Sequence, residues 1–133
     1  MPLPKKIIIS ESGMRDGLQN EKTILSAEEK ISLINELADA GLTDIEGGSF
    51  VRADRVPAMA NSAEVFRGLD YDRGVKYYAL IPNRKGLERA IEAGARLVGV
   101  GVSASAAHNL ASYNRTPEVS LEAYQGIIET ARE

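Results

Sequence analysis

The chain has 133 residues, of which 44% are hydrophobic and 26% charged, and 16 basic against 19 acidic side chains leave a net charge of −3. That length fits one domain with a sizeable core, and an acidic balance argues against a nucleic-acid platform, which shows a basic excess or stripe. The absence of cysteine excludes a disulfide framework, a thiolate zinc site and a cysteine nucleophile within these residues, and it suits a reducing cytoplasm.

The opening Met1-Pro2-Leu3-Pro4-Lys5-Lys6 runs into Ile7-Ile8-Ile9, an apolar stretch too short for a secretory signal and far below the roughly 20 residues that cross a bilayer. Ile7–Ile9 is a β-branched run of the kind that forms a strand buried on both faces. Ser10 to Gly17 is polar and glycine-bearing and reads as a loop. Ser26-Ala27-Glu28-Glu29 fits a capping box, and Ile31, Leu33, Ile34, Leu37 and Ala38 then fall on one helical stripe that stops at Gly41. Leu42–Glu46 is a second strand, followed by the loop Gly47-Gly48-Ser49-Phe50 and a weak helix from Ser62 to Gly68. Val75–Ile81 is a third strand, ended by Pro82-Asn83, and Leu87, Ala90 and Ile91 mark a helix closing at Gly94. Leu97–Val102 is a fourth strand. A polar stretch leads to Thr116-Pro117, an N-cap with a first-turn proline, and to a last helical stripe of Leu121, Tyr124, Ile127, Ile128 and Ala131.

The order is therefore βαβαβαβα. It is reinforced by a faint repeat, since Gly94 stands 53 residues after Gly41 and each follows an alanine and opens a strand four residues later. Alternating units predict a parallel sheet with right-handed crossovers. The sheet is either small and open or half of a (β/α)8 barrel, which needs about 250 residues.

In both architectures ligands bind beyond the carboxyl ends of the strands. The polar residues there are Glu11, Arg15, Asp16 and Gln19 after strand one, Glu46 and Ser49 at strand two, Asn83 after strand three, and Ser103, Ser105, His108, Asn109 and Asn114 after strand four. Each also has a plainer reading. Asp16 before Gly17 suits a tight turn, and Arg15 could be a solvated surface residue. Glu46 at the end of a buried strand requires a partner, and Arg15 on the neighbouring strand would satisfy both. His108 is the only histidine and has no metal-spaced companion, so a surface role fits it better. Gly99-x-Gly101 lacks the third glycine of a dinucleotide fingerprint.

The run Gly13-Met14-Arg15-Asp16-Gly17-Leu18-Gln19-Asn20-Glu21 resembles the signature opening of 3-hydroxy-3-methylglutaryl-CoA lyases. The Arg-Asp-Gly core is shared by the isopropylmalate and homocitrate synthases, whereas the following Leu-Gln-Asn-Glu is similar to the lyase branch. The similarity continues through Ala40-Gly41-Leu42, Ile45-Glu46, Ser49-Phe50-Val51, Val56-Pro57, Pro82-Asn83, Lys85-Gly86 and Ala93-Gly94-Ala95 to Asn114. The resemblance implies a metal-dependent (β/α)8 barrel that cleaves 3-hydroxy-3-methylglutaryl-CoA into acetyl-CoA and acetoacetate, the chemistry of leucine breakdown and ketone-body formation. This chain would supply its first four βα units, residues 1–133, as the amino-terminal half of the barrel domain. By the same resemblance Asp16 is a ligand to a divalent cation, Mg or Mn. Arg15 stabilises the enolate oxygen of the departing acetyl-CoA, and Glu46 positions the arginine. Gln19, Ser49, Asn83 and Asn114 are candidates to contact the acyl-CoA substrate.

The departures are equally specific. The family's His-x-His pair, its later asparagine ligand and its cysteine-bearing glycine-rich loop have no counterpart in these residues, and Ala106 stands where an acidic residue is frequent. The expectation is a chain inactive alone, completed by a carboxyl-terminal half-barrel or by self-association as a homo-oligomer, without nucleic-acid or membrane partners. A related acyl-CoA lyase or synthase, and a non-catalytic half-barrel fragment, are the alternatives.

Overall fold

The computed structural model describes residues 3–132. Four strands, β1 (Ser10–Glu11), β2 (Asp44–Ser49), β3 (Lys76–Leu80) and β4 (Leu97–Gly99), form one parallel sheet in the order β1-β2-β3-β4. Between and after them lie α1 (Ala27–Asp39), α2 (Ser62–Arg67), α3 (Arg84–Glu92), α4 (Ala106–Tyr113) and α5 (Pro117–Arg132). An open doubly wound sheet reverses its strand order at a switch point, whereas a barrel adds each strand beside the last. The unbroken order is the barrel's.

The core lies between the sheet and its helices. Ile45, Tyr77 and Ala79 from the strands and Ile81 just beyond β3 meet Ile34 of α1, Val65 and Phe66 of α2, and Leu87 and Ala90 of α3, all of them buried. α1 begins as its sequence dictates, with the Ser26 hydroxyl accepting from Glu29 N–H and the Glu29 carboxylate accepting from Ser26 N–H. α1 and α3 end alike. Gly41 and Gly94 take φ of 98° and 79°, and each returns its N–H to a carbonyl three residues back, while the next residue reaches back five. That left-handed turn is open to glycine at little cost.

Five sequence expectations need correction. Ile7–Ile9 is not the first strand. Its side chains are 71%, 65% and 63% exposed, and among the described residues the pairing of β1 with β2 begins only at Ser10 opposite Asp44. β2 runs past Glu46 and contains Gly47, Gly48 and Ser49, with a register break between Glu46 and Gly48. The glycines are there because α2 packs on them: a Cβ on Gly47 would sit 3.3 Å from Phe66 Cζ, and one on Gly48 would sit 2.8 Å from Ser62 Oγ. β4 stops at Gly99, the residue opposite the last residue of β3. The polar stretch after it holds a helix, α4, capped by Ser105 and ended by Asn114 in the left-handed region. On α5, Tyr124 and Ile127 are buried but Leu121 and Ile128 are largely exposed, as is Ile91 of α3.

Candidate active site

The chain leaves β1 into a tight π-helical turn, Gly13–Gly17, an irregularity frequent at functional sites. Met14 anchors the turn in the core, and the Glu11 carboxylate accepts from Gly13 N–H. The turn therefore presents two consecutive side chains to one region. Arg15 Nη1 is 2.6 Å from Asp16 Oδ1, and its Nη2 is 2.9 Å from Oε2 of Glu46 on the adjoining strand. Gln19 donates to the same Asp16 oxygen at 3.0 Å, and the Asn20 amide clamps the Asp16 carbonyl at 2.6 Å.

The two carboxylates around Arg15 differ in surroundings. The Glu46 side chain is 5% exposed and that of Asp16 61%. Glu46 is thus a buried counter-ion fixing the guanidinium plane, while Asp16 stands at the solvent edge. Arg15 Nε is buried and meets no acceptor among the described residues, so the guanidinium holds a donor in reserve.

A hard divalent cation takes oxygen ligands, and Asp16 offers it one exposed carboxylate whose internal contacts both fall on Oδ1. That donor fits such an ion as one ligand. Among the described residues no group of three or more His, Cys, Asp or Glu converges, so the remaining ligands would come from elsewhere.

The other candidates lie apart. Ser49 is buried within β2, its N–H directed to the Ser62 hydroxyl at 3.3 Å. Asn83 caps α3 by accepting from Gly86 N–H. Asn83 and Asn114 share the wall of a cleft of about 580 Å3, formed by the segments after β2 and β3 and by the end of α4. Arg52, Arg55 and Arg115 line it too, and sequence reasoning passed over them; the only signal was a pair of arginines three apart beyond strand two. His108 stays outside, its Nδ1 3.0 Å from Ser103 Oγ on an exposed rim. No helix among the described residues is long and apolar enough to cross a membrane.

Known proteins are similar to this chain in sequence and in fold. The chain is 47% identical, over all 133 of its residues, to the 3-hydroxy-3-isohexenylglutaryl-CoA/hydroxymethylglutaryl-CoA lyase of Pseudomonas aeruginosa, of which it covers 44%. The crystal structure of the HMG-CoA lyase of Bacillus subtilis superposes with a TM-score of 0.92 at 42% identity, over 99% of this chain and 44% of that one. An HMG-CoA lyase of Acinetobacter baumannii, solved with coenzyme A and 3-methylmalate, matches at a TM-score of 0.86 and 40% identity, over 92% of this chain and 40% of that one. The chain thus spans less than half the length of these relatives, and its four parallel βα units are part of a (β/α)8 barrel. The HMGL-like family model matches residues 6–133, a span that takes in the Arg15 turn, Glu46 and the cleft alike; the chain belongs to the HMGL-like family.

Proposed function

We propose that residues 1–133 are the amino-terminal half of a carbon–carbon lyase barrel. The reaction is retro-aldol cleavage of 3-hydroxy-3-methylglutaryl-CoA to acetyl-CoA and acetoacetate, as in leucine breakdown and ketone-body formation. The observation that carries this reading is the Arg15 guanidinium, clamped between buried Glu46 within β2 and exposed Asp16 in the turn that follows β1.

Cleaving a carbon–carbon bond beside a thioester leaves negative charge on the thioester oxygen. Arg15 is built to receive it, as a preoriented cation whose position is set before charge develops. Glu46 keeps that cation in plane, and its burial prevents water from competing for the pair. Asp16 and Gln19 stand on the open side, where the substrate's hydroxyl and carboxylate oxygens would arrive. A divalent cation, Mg or Mn, held by Asp16 and by ligands from the rest of the barrel would polarise those oxygens. Asn83 and Asn114 then face the thioester arm. The name of the Pseudomonas relative joins a longer branched acyl group to the methyl one, which supports acyl-CoA thioesters as the substrate class. The cytoplasm is the compartment we assign, where a cysteine-free chain meets no oxidative demand.

The test uses a protein carrying the whole barrel, with acetoacetate detected by a coupled assay and metal binding by calorimetry. Asp16→Ala should weaken the cation. Arg15→Gln should keep it yet lower kcat by about 100-fold or more, the effect of losing one preorganised donor to an oxyanion. Full turnover in Arg15→Gln would overturn the assignment, and no acetoacetate from the unsubstituted protein would overturn the reaction.

A further inference from the structure

α4 interrupts the plain alternation of strand and helix. It stands between β4 and α5, so the chain makes an excursion at the carboxyl-end rim before the long helix of that unit begins. The way α4 is attached is unusual. Its only buried residue is Asn109, and Leu110, its one large aliphatic side chain, is 55% exposed. A surface helix ordinarily docks by an apolar stripe. This one docks by an amide.

Asn109 is fully buried and ties three points together. Its Oδ1 accepts from Ser103 N–H at 3.0 Å, where the chain has just left β4, and its Nδ2 donates to the Arg115 carbonyl and to the Ser120 hydroxyl, both at 2.8 Å. Both amide donors are thus committed, and the start of the excursion, its end and the opening of α5 meet at one side chain. The turn it closes is a strained one. Asn114 ends α4 with φ of 53°, and among the described residues it is the one non-glycine in the left-handed region. Such a conformation persists only where its surroundings over-determine it. Here Asn114 N–H donates to the Leu110 carbonyl, and the next carbonyl along, that of Arg115, accepts from Asn109. Arg115 then reaches across the rim, its Nη2 donating to the Pro82 carbonyl at 3.0 Å beyond β3. Held at both its carbonyl and its guanidinium, it forms with Asn114 one wall of the cleft that Asn83 also lines.

Resting on the lyase reading above, we infer that Asn109 is a positioning residue for substrate binding: through the Arg115 carbonyl it fixes the wall formed by Asn114 and Arg115, without meeting the substrate itself. That wall lies away from Arg15 and the bond that breaks. Contacts made there hold the ground state and the transition state alike, so their loss is read in KM, whereas the loss of Arg15 is read in kcat.

The experiment uses a protein carrying the whole barrel and three substitutions. Asn109→Leu removes all three bonds. Asn109→Ser, whose hydroxyl is too short to reach the Arg115 carbonyl, serves where the leucine variant does not fold. Ser120→Ala removes the bond to α5 alone. KM for the acyl-CoA should rise about ten-fold in the Asn109 variants, the loss of one contact to a charged group, with kcat held within about two-fold. Ser120→Ala should lower Tm and leave KM unchanged. A lowered Tm in the Asn109 variants with KM unchanged overturns the inference, since Asn109 would then be a buttress only. A fall in kcat without a rise in KM overturns it too, as does an equal rise in KM in Ser120→Ala. Unacylated coenzyme A is then titrated by calorimetry into the unsubstituted protein and the Asn109 variant, an assay that needs no turnover. Binding about ten-fold weaker in the variant upholds the positioning role even where no acetoacetate forms, a result that would fail the lyase reading alone. Equal binding in both proteins, or none in either, overturns the inference.

Discussion

Replacing Glu46 by Gln should cost far more stability than replacing Asp16 by Asn, although both carboxylates touch the same guanidinium at similar distances. Glu46 is 4% exposed as a residue and its side chain 5%, while the Arg15 side chain is 19% exposed. Truncating one partner of a fully buried pair costs about 3–5 kcal/mol, because the other charge is left without compensation. Gln can still accept one hydrogen bond from Nη2, and Arg15 keeps some water and the Asp16 contact. The expected loss is therefore about 2 kcal/mol, below that range. Asp16, 61% exposed, loses little solvation when it pairs, so Asp16→Asn should stay within about 0.5 kcal/mol. In a chain of this size about 2 kcal/mol lowers Tm by roughly 8 °C. The chain has no tryptophan, so urea unfolding is best followed by far-ultraviolet circular dichroism. Arg15→Met combined with Glu46→Leu should recover part of the loss by removing both charges together. Equal costs for Glu46→Gln and Asp16→Asn would show that the pair is solvated and that Glu46 does not hold the arginine.

Three further outcomes follow from packing and charge. Gly48→Ala should destabilise by about 1–3 kcal/mol, since the new methyl would press Ser62, whose hydroxyl caps Ser49 N–H; equilibrium unfolding checks it. Burial holds the Lys30 ammonium below its ordinary pKa of 10.5, so the unfolded chain binds that proton more tightly. The penalty is complete below the depressed value and is relieved as pH rises toward 10.5, so the stability of the unsubstituted protein should gain on that of Lys30→Met across this alkaline range in pH-dependent unfolding. The isolated 133-residue chain, with Ile7–Ile9 exposed beside the unpaired edge of β1, should self-associate at micromolar concentration, and sedimentation showing a compact monomer would contradict this.

Local signals in the sequence carried much of the fold. The Ser26 capping box and the glycines at 41 and 94 each fix a chain end by contacts within a few residues, so a reader of the sequence meets both cause and effect together. What depends on a distant partner was not legible. Ile7–Ile9 has the composition of a buried strand and lacks only the neighbour that would bury it. Gly47 and Gly48 read as a loop because their purpose, room for Ser62 and Phe66, lies on another element. At the candidate site, Glu46 was found by the cost of an unpaired buried charge, and its pairing with Arg15 follows from strand adjacency. Arg52, Arg55 and Arg115 were not found, because 60 residues separate Arg55 from Arg115 and the chain passes through β3 and β4 before they meet at one wall.

The matched endings of α1 and α3 bear on how such a chain can be cut and rejoined. Gly41 and Gly94 turn the backbone through the same left-handed step, with the same pair of return bonds, into β2 and β4. A segment excised between two equivalent joints begins and ends on the same backbone conformation. Residues 41–93 are therefore a modular cassette of one strand–helix pair and the next, whose ends can be spliced at either junction without remodelling the turn. Chimaeras with related barrels would do best with their crossover points at these two glycines, where no side chain must be accommodated and the recipient helix already supplies the acceptors.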